Sequence, residues 1–215
     1  MYLRLAEDIF PSNVELSHCN HCNSTVMDSL GRHSLSCGTG ATNRSSRHKE
    51  VNFTLFSAAI AAKIRAFKED DTVAVGYSAD LSLLHIDEDN KNVVVDVNIP
   101  NPFCSSNIMI YSRSPKGFEK LLNDNAKFKR NDRPGKAFAA QRNTNFYPFI
   151  LDALGNIHED ALQVINLIAS KSAARTGYPF SSCVNRISRK ILSQLWYYNS
   201  RMLWHRYRAI SSDED

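Results

Sequence analysis

A chain of 215 residues with 43% apolar and 22% charged side chains has material for one sizeable core and enough polar surface to keep that core in water. Its 26 Lys and Arg against 22 Asp and Glu give a mild net charge of +4, but acids gathered at 69–71, at 87–89 and at the C-terminus leave the rest distinctly basic. No apolar run approaches the ~20 residues of a membrane span. No charged-then-apolar leader opens the chain, and five scattered cysteines do not make a secreted disulfide framework. The expectation is a protein of a reducing compartment with no membrane partner.

Leu3, Leu5, Ile9 and Phe10 ahead of Pro11 suggest a short helix over the first residues. The stretch 19–48 is poor in large apolar side chains and cannot fold on its own burial. It contains Cys19-Asn-His-Cys22, then His33 and Cys37. A CxxC followed by HxxxC supplies three thiolates and an imidazole, a closed tetrahedral set for structural zinc. Unliganded thiols in a loose loop are the alternative, and they leave unexplained how a Ser- and Asn-rich segment becomes ordered.

From Glu50 to about Phe67 the pattern is helical, with Val51, Leu55, Ala58 and Ala62 as one stripe, widened by Phe56, Ile60, Ile64 and Phe67. Ser45 or Ser46 is the expected N-cap. A polar turn over 68–72 and a first strand at Val73-Ala74-Val75 follow. Two β-branched runs, 79–86 and 92–100, flank a polar segment and read as a hairpin ended by Pro100. Each run carries one acid, Asp80 and Asp96, where a core strand prefers an apolar residue. A turn centred on Glu88 sets the two directly across from each other, and one centred a residue later makes them diagonal neighbours. Either register keeps both carboxylates on one face, and like charges at that separation repel unless a divalent cation lies between them. A buried salt bridge to Lys or Arg is the competing account.

Residues 103–114 read as irregular, and a lysine-rich helix is expected from about Pro115 through Phe128 until Asp132-Arg-Pro-Gly135 breaks it. A strand over 145–152 with Pro148 at an edge or bulge, and a helix over 157–172, come next. From about 181 the tail interleaves Arg186, Arg189, Lys190, Arg201, Arg206 and Arg208 with Trp196, Tyr197, Tyr198, Trp204 and Tyr207. Arginine with aromatic is the chemistry of phosphate contact and base stacking. It also suits a solvated helix whose rings finish a core.

A helix with Glu50, a strand, a hairpin bearing Asp80 and Asp96, a lysine helix and another strand make the outline of the restriction-endonuclease-like core: a mixed α/β sheet flanked by helices. In such a site two carboxylates hold Mg²⁺ or Mn²⁺ and a lysine assists the attacking water. The usual lysine position, two residues after the second acid, is Asn98 here. Lys127 is therefore the candidate, with Lys129 and Lys136 behind it, and Glu50 is a further candidate ligand; an exposed first-turn glutamate is its plainer reading.

The run Cys19-x-x-Cys22, Asp28-x-x-Gly31-x-His33-x-Leu35-x-Cys37, Arg47-His48 resembles a known pattern. It is similar to the CCHC knuckle and Arg-His pair of non-LTR retrotransposon polyproteins that carry a restriction-like endonuclease, and of related stand-alone eukaryotic proteins. Ser78-Ala79-Asp80, Asp96-Val97-Asn98-Ile99-Pro100, Lys127, Phe146-Tyr-Pro148, Gly155 and the basic Arg186-to-Leu192 stretch follow in that family's order. Ala79 stands where the family has proline before the first acid, and no glutamate precedes that strand as the family's does. The resemblance implies a metal-dependent DNA endonuclease working in the nucleus, with RNA as a second candidate ligand. It divides the chain into a zinc knuckle (1–46), a catalytic core (47–180) and a basic tail (181–215). Arg47, His48, Arg186, Arg189, Lys190 and Arg201 are the expected nucleic-acid contacts. A double-strand break would need two successive nicks or two sites, as in a homodimer. A decayed nucleic-acid-binding module of the same fold and a zinc-stabilised protein-interaction domain are the other readings carried forward.

Overall fold

A computed structural model of the protein describes residues 18, 19, 22, 25, 32–35, 37, 41–74, 76–86, 89–112, 116–141 and 143–211. The helix expected over the first residues, the knuckle's His21, Asp28 and Gly31, the turn at Glu88, Pro115, Arg142 and the acidic C-terminus lie outside that set. The first helix, α1 (Ala41–Ala61), starts earlier than the expected Glu50, so Ser45 and Ser46 lie inside it rather than at its N-cap. It also stops sooner. The Ile64 N–H reaches back to the Ala59 carbonyl at 3.0 Å while Lys63 turns left-handed (φ 63), a Schellman-type close. Phe67, expected on the helix, belongs instead to strand β1 (Ala66–Ala74) and is 41% exposed. β1 forms one edge of the sheet, where charged residues such as Lys68 and Glu69 discourage pairing with another chain.

Strands β2 (Tyr77–Leu83) and β3 (Asn92–Asn98) are the expected hairpin, and β1, β2 and β3 run antiparallel in turn. Leu81 pairs with Val95, Ser82 with Val94 and Leu83 with Val93, the register that follows from a turn centred on residue 88. Strand β4 (Thr144–Ile150) then lies parallel to β3 at the other edge, completing the order β1-β2-β3-β4. Pro148 is tolerated there, because an edge strand can lack an N–H on its open side.

Three helices connect β3 to β4: α2 (Ser105–Ser112), in the stretch read as irregular, α3 (Gly117–Asn131) and α4 (Arg133–Ala139). Asp132 makes the corner between the last two. Its N–H bonds the Phe128 carbonyl to close α3, and its carboxylate accepts from the Gly135 N–H at 2.7 Å to open α4. After β4 come α5 (Glu159–Thr176) and the long α6 (Phe180–Ser211).

The helices cover both faces of the sheet. Val51 and Leu55 of α1, Ile165 and Ile168 of α5, and Ile187, Ile191 and Leu195 of α6 pack on Leu81, Leu83, Val93, Val95 and Val97. On the other face Leu122 and Ala126 of α3 meet Ile150, and Phe138 of α4 meets Val94. Burial on both sides is why Val93, Val94 and Val95 form an unbroken apolar run, all 0% exposed. The protein is a mixed α/β fold with a four-stranded sheet between helical layers. Among the described residues, no helix is long and apolar enough to cross a membrane.

Candidate functional site

Cys19, Cys22, His33 and Cys37 converge, each offering a ligand atom, all within 4.8 Å of one another. Cys19 and Cys37 sulfurs are 3.7 Å apart, and the Cys22 sulfur is 3.3 Å from His33 Nε2. Tetrahedral zinc with bonds of ~2.3 Å separates two thiolate sulfurs by roughly 3.8 Å, so this donor set could hold the ion. A 3-10 turn, Arg32–Leu35, carries His33, and the Asn101 side-chain amide bonds the Arg32 carbonyl at 3.4 Å. The knuckle is thereby tied to the loop that leaves β3.

Past the Leu81–Val95 pair the β2–β3 ladder gives out. Asp80 itself takes the place of a strand partner: its Oδ2 accepts the Val97 N–H at 2.7 Å. The same register continued by one residue sets Asp80 across from Asp96, and the two carboxyls bear directly on each other. His48 reaches them from α1, its Nε2 being 3.2 Å from Asp80 Oδ2 and 3.0 Å from the Val97 carbonyl. Asn52, one helical turn along, donates to the Asp80 carbonyl at 2.7 Å. From the opposite layer Lys129 of α3 extends its Nζ to Asp96 Oδ2 at 2.9 Å. The acids thus sit where two strands part, with one helix supplying an imidazole and another an ammonium.

The electrostatics follow from those contacts. Burial pushes Asp80 up, but the His48 hydrogen bond and charge and the Val97 N–H together bring it below the ordinary carboxylate value. Asp96 is held above that value, first by burial and also by the Asp80 charge, with Lys129 opposing. The Asp80 hydrogen bond raises His48 above the usual imidazole range, against the cost of burial. Two acids that titrate apart, with an imidazole on one and an ammonium on the other, form a pair able to ligate a metal or to share a proton.

The other expected residues fall in different places. Lys127 lies two residues before Lys129, about 200° around the helix, and is exposed. Lys136 is exposed on α4. Glu50 likewise lies about 200° from His48 and faces α6, where its charge helps to raise the Tyr198 phenol after burial has done so. It is not brought to the acids. Asn98, at the usual lysine position, donates to Asn125 Oδ1 of α3 at 2.9 Å. Arg47, expected at a nucleic-acid surface, is only 3% exposed and donates to Asn199 Oδ1 of α6 at 2.7 Å, while Asn199 donates to the Ala153 carbonyl at 2.7 Å.

Arg186, Arg189, Lys190 and Arg201 are all exposed on α6. Arg186 reaches the Ser172 hydroxyl at 3.2 Å, and Arg201 lies over the Tyr197 and Tyr198 rings at 5.8 and 5.9 Å. The two ends of this set are about 22 Å apart along the helix, and Arg201 is at the end where Asn199 meets Arg47.

Asn52 was not singled out from sequence, and Lys129 stood only behind Lys127 as a candidate lysine. Each had a local signal, a polar residue on the inward stripe of a helix. No protein-family model matches the chain, and comparison with curated proteins likewise gives no match.

Proposed function

We propose that the protein is a metal-dependent DNA endonuclease with a restriction-endonuclease-like core and a structural zinc knuckle. The observation that carries this reading is the meeting of Asp80 and Asp96 at parted strands, with Lys129 on one carboxylate. Support also comes from the element order: a helix, an antiparallel hairpin bearing both acids, a lysine helix and a parallel strand. The site lies toward the carboxyl end of β3, beside the parallel pair, where α/β sheets commonly place ligands.

Both carboxylates and the Val97 carbonyl are oxygen donors, the kind a hard cation such as Mg²⁺ or Mn²⁺ takes, so these residues fit that ion. When bound there, the ion would acidify a coordinated water and offset charge on the phosphate. The chain's own residues do the rest. Lys129, fixed by Asp96, sets an ammonium where a water or a phosphate oxygen can accept from it. His48 and the Val97 N–H hold Asp80 ionised and in one orientation. The exposed arginines of α6 offer contacts to backbone phosphate.

A second reading has its own observation. His48 and Lys129 already give each acid a cationic partner, as a nucleic-acid-binding module without catalysis would require. Nicking of supercoiled plasmid with Mg²⁺, Mn²⁺ or no added divalent metal separates the two. Asp96→Ala should abolish metal-dependent nicking and leave DNA binding in place. Nicking retained in Asp96→Ala sinks the nuclease site, and binding without any nicking by the wild type favours the second reading.

A further inference from the structure

Arg47 makes a contact that its charge does not explain. Tying α1 to α6 through Asn199 needs a hydrogen-bond donor, which a neutral amide could supply. Yet the residue is a guanidinium, 3% exposed, with its Nε unpartnered. Among the described residues no carboxylate pairs with it, and the charged group that acts on it is another cation, Arg44. Burial and then Arg44 lower its pKa to about 10. A buried cation without a counter-charge is costly, and a second cation beside it adds to the cost. An anion here would offset that cost.

There is room for it. Arg44 and Arg47 line two adjoining cavities of about 300 and 290 Å³, which also share Asn98 and Ile99. No aspartate or glutamate is among the described residues lining either one. His48 borders the first cavity, and Asn98 follows Asp96 by two positions on β3, roughly 7 Å along the strand. The opening thus shares His48, which also contacts Asp80, and the strand that carries Asp96 with the acid pair.

We propose that this cleft is a phosphate subsite. It takes a backbone phosphate of a nucleic-acid strand next to the bond presented to Asp80 and Asp96, with Arg44 and Arg47 as its cations. The anion follows from the uncompensated arginines alone, and only its ownership by a nucleic acid rests on the function proposed above. Guanidinium groups suit it because their planar forks bond phosphate oxygens in pairs. Arg47 is pre-set by Asn199, and exposed Arg44 closes on the ligand.

The test is binding of a fluorescent oligonucleotide, without added Mg²⁺, across a series of salt concentrations. Arg44→Gln should weaken binding about tenfold and lower the salt slope by roughly one ion. A control at the exposed Lys63→Gln, away from the cleft, should change neither. Inorganic phosphate should compete with the oligonucleotide better than chloride of equal ionic strength in the wild type, and lose that advantage in Arg44→Gln. Because Arg47 supports the fold, its variant is the charge-preserving Arg47→Lys, expected to bind more weakly with circular dichroism unchanged.

The subsite is overturned if folded Arg44→Gln matches the wild type in affinity and slope, if Lys63→Gln falls equally, or if the wild type binds no oligonucleotide. The two proposals fail separately. Plasmid nicking unaffected by Arg44→Gln removes the subsite and leaves the nuclease. Arg44-dependent binding without metal-dependent nicking keeps the subsite and removes the nuclease.

Discussion

Lys127 and Lys129 differ by two positions, and helix geometry gives them opposite fates. Leu122 and Ala126 mark the buried side of α3, and the next residue on that stripe is Lys129, so its ammonium ends 2.9 Å from Asp96. In the nuclease proposed above Lys129 would stabilise charge on the phosphate, and removal of one such donor from an active site costs about 10²–10³ in rate. Lys129→Met should therefore lose nicking by that factor, while Lys127→Ala stays within about twofold of wild type; equal losses would assign the role elsewhere. The acids themselves were legible, because a polar residue inside an apolar β-branched run has no packing reason to be there. His48 was expected as a nucleic-acid contact, and its place at Asp80, like that of Asn52, was legible only with the inward face of α1 in hand. The His48–Asp80 pair also sets a pH signature. A histidine raised in the folded state stabilises fully below its unfolded value near 6.5, and that gain fades as pH rises through the folded value. An aspartate lowered in the folded state stabilises above about 3.9 and loses its contribution as pH falls through the lowered value. The pair therefore contributes most between about pH 4 and 6.5. With the imidazole 35% exposed, screening limits the gain to about 1 kcal/mol or less. The gap between the urea midpoints of His48→Gln and wild type should be widest near about pH 5.5 and narrow as pH rises through the raised folded value of His48; a gap of constant size would contradict the pair's role.

At the scale of elements, the corner between α3 and α4 is what aims Lys129. Gly135 lies so close to the end of α3 that an added Cβ would collide with the Lys129 carbonyl oxygen, with Asp132 Oδ1 also at 3.0 Å. The backbone contact cannot yield as a flexible side chain would, so Gly135→Ala must push the corner open. Overpacking of this kind costs about 1–3 kcal/mol. The expected outcome is a lower melting temperature together with a nicking defect that Ala139→Gly, on the same helix but exposed, does not share. The break at Asp132-Arg-Pro-Gly135 was visible in sequence as a helix stop, and its use as a two-way cap was not. Strand β1 was hidden for a different reason. Its Lys68-Glu-Asp-Asp71 run has the composition of a turn, and only the sheet's need for a guarded edge makes a strand of it.

For the molecule as a whole, the cleft depends on contacts that no local pattern announces. Arg47 and Asn199 are 152 positions apart, and Asn101 meets Arg32 across 69, so sequence periodicity carries no trace of either. The first bond ties α1 to α6, the second ties the knuckle to the loop after β3, and Leu35 of the knuckle lines one of the two cavities beside Arg47. Zinc, in this arrangement, would hold the wall of the cleft rather than the sheet, whose apolar core includes none of the described knuckle residues. Losing it should loosen one side of the site and leave the rest folded. Cys37→Ser, at a residue 1% exposed, should lower bound zinc well below about one equivalent and reduce the melting temperature by about 5–10 °C, the equivalent of a few kcal/mol. Amide exchange should speed up over Arg32–Leu35, with the β3 amides still protected. Cys104→Ser, outside the four-residue group, should retain both zinc and protection. Equal zinc content in the two variants would remove the metal from the knuckle, and global unfolding of Cys37→Ser would make the metal a support of the whole core instead.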